Sequence, residues 1–481
     1  MSSTLPSILD IKPSQDVENM NIKTEVLDPI TITQSQAVFQ LPKTGILDGG
    51  SMLQLGVLAG TDHFFPLATG CHSVIKSCFL KIGGKVLASN DDYAYYTTMT
   101  RQFETPEHRA YIDMVKSGAS GDRFGATESG RIIYRDLEAH INATATHSEF
   151  KVPEFLRPTQ NESTTPLFSI PLSTLIPMMR SRKLPLMSMK EHVYLEVNFN
   201  SQSVGASGAV CCLKSGGTDT GVTIATNKVK FISDHLYYSD PKMSELVAQT
   251  QSQNGLSVLY EDLVTTNANV PSSGVAGGST LNQTVERQIA VSGKTVRSVM
   301  VSEKNTNANH NLYGHYFSKE LEIPSQYNFR INDQRIYDRN VVHQPHKYEE
   351  LAQVMGKPLM VPNQLYSFDA DTDKEALPLQ GLNQNSVCVG KVEGYQLPTD
   401  TNTAMTSDIR GTAHYYGYDA TKNGLNTLGN GVQVGVKPIT LQRTYTRKTN
   451  NDNDSGRQMR IFTNIEKIVV IKNGEVLVTG N

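Results

Sequence analysis

The sequence has no tryptophan, few cysteines and no long apolar run, and each absence argues against a class of protein. Its five cysteines are an odd number without a Cys-x-x-Cys spacing, which argues against a disulfide framework and against a zinc site. We therefore expect reduced thiols and assembly in a reducing compartment. No stretch approaches about 18 consecutive apolar residues, and Met1–Asn21 lacks the apolar centre of a secretory signal.

The chain also lacks the basic excess of proteins that wrap nucleic acid with their own surface. It has 44 Lys+Arg against 47 Asp+Glu, a net charge of −3. We expect no direct sequence-specific binding of nucleic acid. A chain of this charge that enclosed a genome would do so through other proteins or a membrane. Its 38% hydrophobic and 19% charged residues are typical of a globular protein.

Alternation of apolar and polar residues is the prevailing pattern, and it predicts strands. The length of 481 residues fits three domains of about 150 residues or two β domains of about 200–250. Within His192–Asn200 the side chains of Val193, Leu195, Val197 and Phe199 fall on one face, as in a half-buried strand. Further strand-like runs are Val296–Val301, Ile439–Tyr445 and Arg460–Val478.

Two tight hairpins and two helices are marked by their turn and capping residues. Gly83-Gly84 and Asn473-Gly474 each separate two apolar runs, and these residues supply the positive φ of a two-residue hairpin turn. One predicted helix is capped by Thr105 and ends before Gly118, and the other runs from Asp240 to Gln251. The remaining polar stretches are predicted to be long loops: Asn200–Thr223, Thr265–Ser279, Asp369–Asn385 and Asp400–Val432.

The mid-chain helix suggests the domain boundary, because strand patterns lie on both sides of it. We predict an N-terminal arm over 1–24, a first β domain over 25–239, a linker helix over 240–254 and a second β domain over 255–481. The arm is polar and aperiodic, and either frays or orders against a neighbouring component. No short repeat is visible, which excludes solenoids and propellers.

No catalytic, cofactor-binding or metal-binding residue is predicted. The phosphate-binding loop, HExxH and GxSxG motifs are absent. His343 and His346 flank Pro345 without a nearby cysteine or carboxylate pair, so surface or interface histidines are the better interpretation than metal ligands. His310 and His315, in an asparagine-rich loop, have no stronger case.

Three charged clusters remain. Asp91-Asp92 is one, and Asp369, Asp371 and Asp373 form another, with the alternating carboxylates of a calcium loop but without its glycine. Both are predicted to lie on loops, and for the trio a solvated loop is the favoured interpretation, with ion binding as the alternative. The basic cluster of Arg180, Arg182 and Lys183 is too short to track a nucleic acid backbone, and favours interface salt bridges or solvent.

Two segments resemble the major capsid proteins that have a double jelly roll. The proline-flanked, leucine-rich run Pro166–Leu186, followed by the strand in His192–Asn200, resembles the short helical segment before a late strand of their first jelly roll. Gln442–Arg447, followed by Arg460–Val478, resembles the last two strands of their second jelly roll. The resemblance is closer to polinton-like viruses and virophages than to nucleocytoplasmic large DNA viruses, whose N-terminal motifs are absent.

This resemblance implies an all-β chain of two tandem eight-stranded jelly rolls, with a few short helices and long loops. It implies a non-enzymatic major capsid protein that forms pseudo-hexameric trimers. Such trimers tile an icosahedral shell around the double-stranded DNA genome of a eukaryotic virus. The partners it implies are other copies of the chain, neighbouring capsomers, and minor capsid and penton proteins. Its location would be the virion, assembled in the host cytoplasm or nucleus, and membrane contact stays open.

Two other classes of protein remain as alternatives. A non-viral β-sandwich binding module, such as a lectin or adhesin, fits the strand pattern, but the lack of tryptophan and of a secretory signal counts against it. A β-rich enzyme without a recognised motif is the third possibility.

Overall fold

A computed structural model gives the architecture of the chain. It describes residues 20–59, 63–64, 70–100, 114–117, 124–126, 132–134, 160–180, 182–200, 213–214, 222–270, 280–305, 326–342, 344–354, 414–423, 431–448 and 457–480. Strands predominate, and the helices between them are short. Within these ranges, none of the helices has the length and apolar character needed to cross a lipid bilayer.

Fifteen strands lie before the mid-chain helix and together form the part of the molecule called here the first sandwich. They are β1 (Asn21–Leu27), β2 (Thr31–Ile32), β3 (Gln36–Gln40), β4 (Ile46–Leu47), β5 (Met52–Leu58), β6 (His63–Phe64), β7 (Ile75–Ile82), β8 (Lys85–Asn90), β9 (Phe124–Ala126), β10 (Ile132–Tyr134), β11 (Leu167–Pro171), β12 (Val193–Phe199), β13 (Leu213–Lys214), β14 (Thr223–Ile224) and β15 (Lys230–Tyr237).

Ten strands follow that helix and form the second sandwich. They are β16 (Leu256–Val270), β17 (Thr280–Ile289), β18 (Thr295–Asn305), β19 (Gln326–Ile331), β20 (Gln334–Arg335), β21 (His414–Asp419), β22 (Val432–Gln433), β23 (Ile439–Lys448), β24 (Arg457–Lys472) and β25 (Glu475–Gly480).

The α-helices are α1 (Tyr93–Thr100), α2 (Met114–Ser117), α3 (Leu172–Leu175), α4 (Asp240–Gln251) and α5 (Gln344–Val354). The 3₁₀ turns are Gly70–Val74, Pro177–Arg180, Leu186–Ser188, Thr226–Lys228 and Ala420–Asn423. Helix α4 begins after Ser239 with a proline in its first turn and buries Leu246, as its sequence predicted.

The two sandwiches have the same strand order. Sheet 1A has the order β1-β15-β5-β11, and sheet 1B has the order β2-β3-β12-β7-β8. Sheet 2A has the order β16-β24-β18-β21, and sheet 2B has the order β17-β23-β19-β20. We call eight strands of each sandwich principal and number them 1 to 8 along the chain. They are β1, β3, β5, β7, β8, β11, β12 and β15 in the first sandwich, and β16, β17, β18, β19, β20, β21, β23 and β24 in the second. In these numbers both sandwiches have the sheet orders 1-8-3-6 and 2-7-4-5. This is the jelly-roll arrangement, repeated twice, and it confirms the predicted fold class.

The two ends of each sandwich differ in the length of their connections. The pairings between principal strands are antiparallel, so successive strands alternate in direction. The connections after the fifth strand, 91–166 and 336–413, therefore leave the same end, called here the loop end. The opposite end, the turn end, carries the tight turns 83–84, 332–333 and 473–474.

Both predicted hairpins are confirmed, as is the strand in His192–Asn200. Gly83, Gly84, Asn473 and Gly474 all have positive φ, as a two-residue hairpin turn of this type requires. The alternate residues of β12 from Val193 to Phe199 are buried and point into the first core.

Three predicted loops are wrong in part. Asn200–Thr223 was expected to be a loop, but the two-residue strand β13 lies within it and pairs with β6. The stretch Thr265–Ser279 was expected to be a loop, but β16 continues to Val270, because its polar residues complete a ladder with β24. Asp400–Val432 was also expected to be a loop, but β21 lies within it and buries Tyr416 and Tyr418. Its alternating tyrosines are a strand pattern that the surrounding polar residues obscure.

Other predictions fall outside the described residues. Of the helix predicted between Thr105 and Gly118, only Met114–Ser117 is described, and it is helical. The predicted loop Asp369–Asn385 is not among the described residues. Neither is most of the predicted arm over 1–24, although β1 begins at Asn21, inside that range.

Two long strands connect the two hydrophobic cores. β16 and β24 pair continuously from Leu256↔Ile471 to Val270↔Arg457, a ladder about 50 Å long at about 3.4 Å per residue. At one end of the ladder, Val258 and Val469 belong to the first core, and at the other, Val270 and Ile461 belong to the second. The ladder therefore contributes to both cores.

Candidate functional site

The metal and charge candidates from the sequence do not converge in the described part of the chain. No group of three or more His, Cys, Asp or Glu there could hold a metal ion. His346 lies on α5 with its Nε2 3.6 Å from Glu350 Oε1. His310, His315, His343 and the trio Asp369, Asp371 and Asp373 lie outside the described residues.

The basic cluster contacts its own chain. Arg180 lies over the Tyr96 ring at 5.5 Å, Arg182 donates to the Leu259 carbonyl at 2.6 Å, and Lys183 pairs with Asp48 at 2.9 Å. Two of these three side chains thus lie where the first sandwich meets the second. We call this contact region, between the β8–α1 segment and the β16–β24 ladder, the junction.

Helix α1 docks onto sheet 2A. The Tyr96 ring packs against Phe462 with centroids 5.5 Å apart, and both side chains are almost fully buried. Beside them the Arg460 guanidinium lies 3.4 Å from the centre of the Tyr95 ring. Arg460 Nη1 also donates to Asp92 Oδ1 at 3.2 Å. One member of the acidic pair predicted from the sequence therefore connects the two sandwiches.

Strand β8 joins β16 through polar contacts. The Tyr260 hydroxyl donates to the Leu87 carbonyl at 2.5 Å, and burial raises the pKa of this tyrosine well above its ordinary value. Asp262 accepts a hydrogen bond from the Ser89 amide at 3.0 Å and also pairs with Lys467. These hydrogen bonds, together with the packing of Tyr96 on Phe462, join the first sandwich to the second.

The carboxyls around the junction are affected by burial. Burial, followed by the charge of Asp92, raises the pKa of Asp91. Glu466, which faces Arg297 and Glu261, has its pKa raised mainly by burial, against the lowering effect of Arg297. Burial is the largest cause of both shifts.

The second core contains a buried ion pair. Arg443 Nε lies 3.1 Å from Glu303 Oε1, and both side chains are completely buried. The Tyr416 hydroxyl donates to the same Glu303 oxygen at 2.5 Å, and the Arg443 guanidinium lies 4.8 Å from the Tyr416 ring centre. Tyr327 stacks on Tyr416 at 4.6 Å, and burial raises its pKa. No sequence pattern identified this cluster, because its members are far apart in the chain.

The outward faces of sheets 1A and 2A differ in what covers them. On 2A, Thr265, Phe462, Met300 and Gly417 are in register across all four strands. Phe462 is covered by α1, and a Cβ added at Gly417 would meet Val354 and Leu351 of α5. On 1A, the corresponding row is Val26, Ile232, Met52 and Pro171. Val26 is 60% exposed, and the other three are only partly buried.

Comparison with known proteins finds the fold but no sequence relative. No family model and no curated protein matches the sequence. A chain in the 3.5 Å cryo-EM structure of the Sputnik virophage matches with a TM-score of 0.52 and 12% identity, over 96% of this chain and 89% of that one. PBCV-1 VP54, fitted into a cryo-EM reconstruction of the virophage Sputnik, matches with a TM-score of 0.51 and 11% identity, over 96% and 97%.

A weaker match is the mavirus major capsid protein, with a TM-score of 0.46, 11% identity and coverage of 95% and 90%. At these identities the similarity establishes the fold alone. The chain is a double jelly-roll protein. The resemblance noted at Pro166–Leu186 is thus confirmed at the level of the fold: in the structure, α3 and two 3₁₀ turns precede β12, the seventh principal strand of the first sandwich.

Proposed function

We propose that this chain is the major capsid subunit of a double-stranded DNA virus of eukaryotes. Three copies would form a pseudo-hexameric capsomer, and capsomers would tile an icosahedral shell around the genome. The observation that carries the proposal is the repeat of one jelly-roll topology, with the two copies held side by side by the junction. Two of the solved structures that share the fold are a chain in the cryo-EM structure of the Sputnik virophage and PBCV-1 VP54 fitted into a reconstruction of that virophage.

Two sandwiches of the same topology in each chain suit a trimer with a pseudo-hexameric outline. Each chain contributes two sandwiches of the same topology, so three chains present six similar blocks around one axis. The contact between the blocks is heterologous, because an outward sheet face on one meets a helix from the other. Heterologous contacts close into a ring when the repeated rotation completes a full turn without translation, and six such blocks would do so at about 60° each. A stable ring of this type buries more than about 2,000 Å² at each interface.

The proposed role is structural and requires no catalysis. The rigid strands form the wall, and the assembled blocks meet neighbouring capsomers and minor shell proteins. The net charge of −3 fits a subunit that encloses a genome without contacting it base by base. The corresponding location is the virion, after assembly in the host cytoplasm or nucleus.

Light scattering on the purified chain tests the proposal. We expect a species of three times 53.0 kDa whose mass does not change on dilution, followed by shells or shell fragments in electron micrographs at high concentration. A mass of 53.0 kDa at every concentration would contradict the proposal and favour a β-sandwich binding module.

A further inference from the structure

The outward face of sheet 1A carries a continuous apolar row. Val26 pairs with Ile232, Ile232 with Met52 and Met52 with Pro171, so that the row crosses all four strands. We call these four residues the open row. Two more exposed apolar side chains flank it, Ile22 at 54% and Leu167 at 42% exposure. An apolar face of this kind on a folded protein marks an interaction surface.

Paired polar groups surround the open row. The Thr24 hydroxyl donates to Asp234 at 2.6 Å, and Lys230 pairs with Asp28 at 2.9 Å. β1 is also the edge strand of sheet 1A, and exposed strand edges are normally covered or paired in stable assemblies. An apolar centre with a polar rim is the usual anatomy of a protein–protein interface.

The second sandwich shows what covers such a face. On sheet 2A, Phe462 lies under α1 of the other sandwich and Gly417 lies under α5 of the same sandwich; α1 follows the fifth principal strand of the first sandwich, β8. In the second sandwich, the fifth principal strand is β20, and residues 336–342 follow it. This segment is held by the hydrogen bond from the Tyr337 hydroxyl to Glu350 at 2.7 Å, while Asp338 and Arg339 are exposed.

We propose that the open row binds the second sandwich of another copy of this chain, with residues 336–342 of that copy in the position that α1 occupies at the junction. The inference rests on the proposed function, and it identifies the surface through which the copies associate. One chain already contains one covered and one uncovered version of this sheet face, on 2A and 1A respectively. A second copy placed on the uncovered face would repeat the type of contact found at the junction, and three copies related by a threefold axis would then close a ring.

A double substitution, Ile22→Glu with Val26→Glu, tests the surface. Both side chains are more than half exposed, so the subunit should fold with unchanged circular dichroism and melting temperature. Burying two carboxylates in an apolar contact should weaken association at least about a hundredfold and give monomers by sedimentation velocity. Val436→Glu is the matched control, because Val436 is 95% exposed and lies at the turn end, away from the open row.

The outcomes separate this inference from the proposed function. Trimers of both the wild type and the double variant would overturn the open row as the interface, while leaving the capsomer proposal standing. A wild type that is monomeric at every concentration would overturn both. Wild-type and V436E trimers beside a folded monomeric double variant are the expected result.

Photo-crosslinking tests the partner segment without relying on a destabilising change. Benzoylphenylalanine at position 26 should give an intersubunit product whose crosslinked peptide, read by mass spectrometry, contains residues 336–342. The same probe at position 436 should give no such product. An intersubunit product that maps to a different part of the chain would overturn the assignment of this segment.

Discussion

The two sandwiches share a topology but differ in how their cores accommodate polar groups. Among the described residues, the buried polar side chains of the first sandwich are uncharged types or histidines, for example His72 with Tyr93 at 2.6 Å and Ser233 with His235 at 2.8 Å. The second core encloses the Arg443–Glu303 pair instead. One strand order thus tolerates two different interiors, because the jelly roll depends on inward apolar alternation and not on particular side chains.

The two cores also differ in how strictly they determine a single arrangement of the strands. Apolar contacts are non-directional, so many combinations of similar volume fill a core. A buried ion pair is directional and costly to misplace, so it favours one alignment of sheet 2A, which contains β18, against sheet 2B, which contains β23. We infer that the second sandwich obtains part of its uniqueness from Arg443 and Glu303, whereas the first relies on the volume and pattern of its apolar residues.

The largest expected effect follows from placing a charge in the apolar core of the first sandwich. Leu195 is fully buried between Phe39 and Leu80 of the neighbouring strands, so Leu195→Asp places an unpaired charge in the first core. We expect no soluble protein on expression, measured as the fraction in the cleared lysate. Leu195→Met, which keeps the volume, should cost less than about 1.5 kcal/mol and remain soluble. Normal yield of the aspartate variant would mean that β12 presents its other face to the core.

A smaller effect is expected from breaking the ion pair. Arg443→Met leaves Glu303 charged and buried, which should lower the free energy of unfolding by about 3–5 kcal/mol in urea titrations. The double variant R443M/E303L removes both charges and should recover most of that loss. If the single and double variants are equally destabilised, the guanidinium acts through its packing on Tyr416 and not through the charge pair.

The smallest expected effect is a pH dependence of stability caused by the buried His235 of the first sandwich. Burial is the largest influence on His235 and lowers its pKa, partly offset by the Thr44 backbone, Glu25 and Asp234, while Lys23 lowers it further. An unfolded histidine takes up a proton near pH 6.5, before the folded one does. The stability of the wild type should therefore be complete above about pH 6.5 and decrease as the pH falls below it.

Urea midpoints at pH 7.5 and 5.5 measure this decrease. His235→Gln removes the titrating group and should flatten the dependence, whereas Val436→Ala, at a position that is 95% exposed and has no titrating group, should leave it unchanged. Equal pH dependence in all three proteins would show that another group controls the acid response.

Local signals in the sequence predicted the elements that depend on local chemistry. The alternation in β12, the glycines and asparagine of the two hairpins, and the proline-capped α4 are such cases. The threonine- and asparagine-rich end of β16 was missed because only its partner β24 makes it a strand. The contact of Arg460 with Tyr95 and Asp92, and the Arg443–Glu303 pair, join residues far apart in sequence and leave no local pattern.

The β16–β24 ladder has a consequence for the order in which the molecule is made. Val469, Ile471 and Val476 belong to the core of the first sandwich, although they are among the last described residues of the chain. The ribosome therefore releases most of the first sandwich before the residues that complete its core exist. Such long-range closure slows folding and leaves apolar surface exposed in the nascent chain. A chain truncated before β24 would carry an incomplete core in both halves, so the protein can reach its native form only after synthesis has passed that strand.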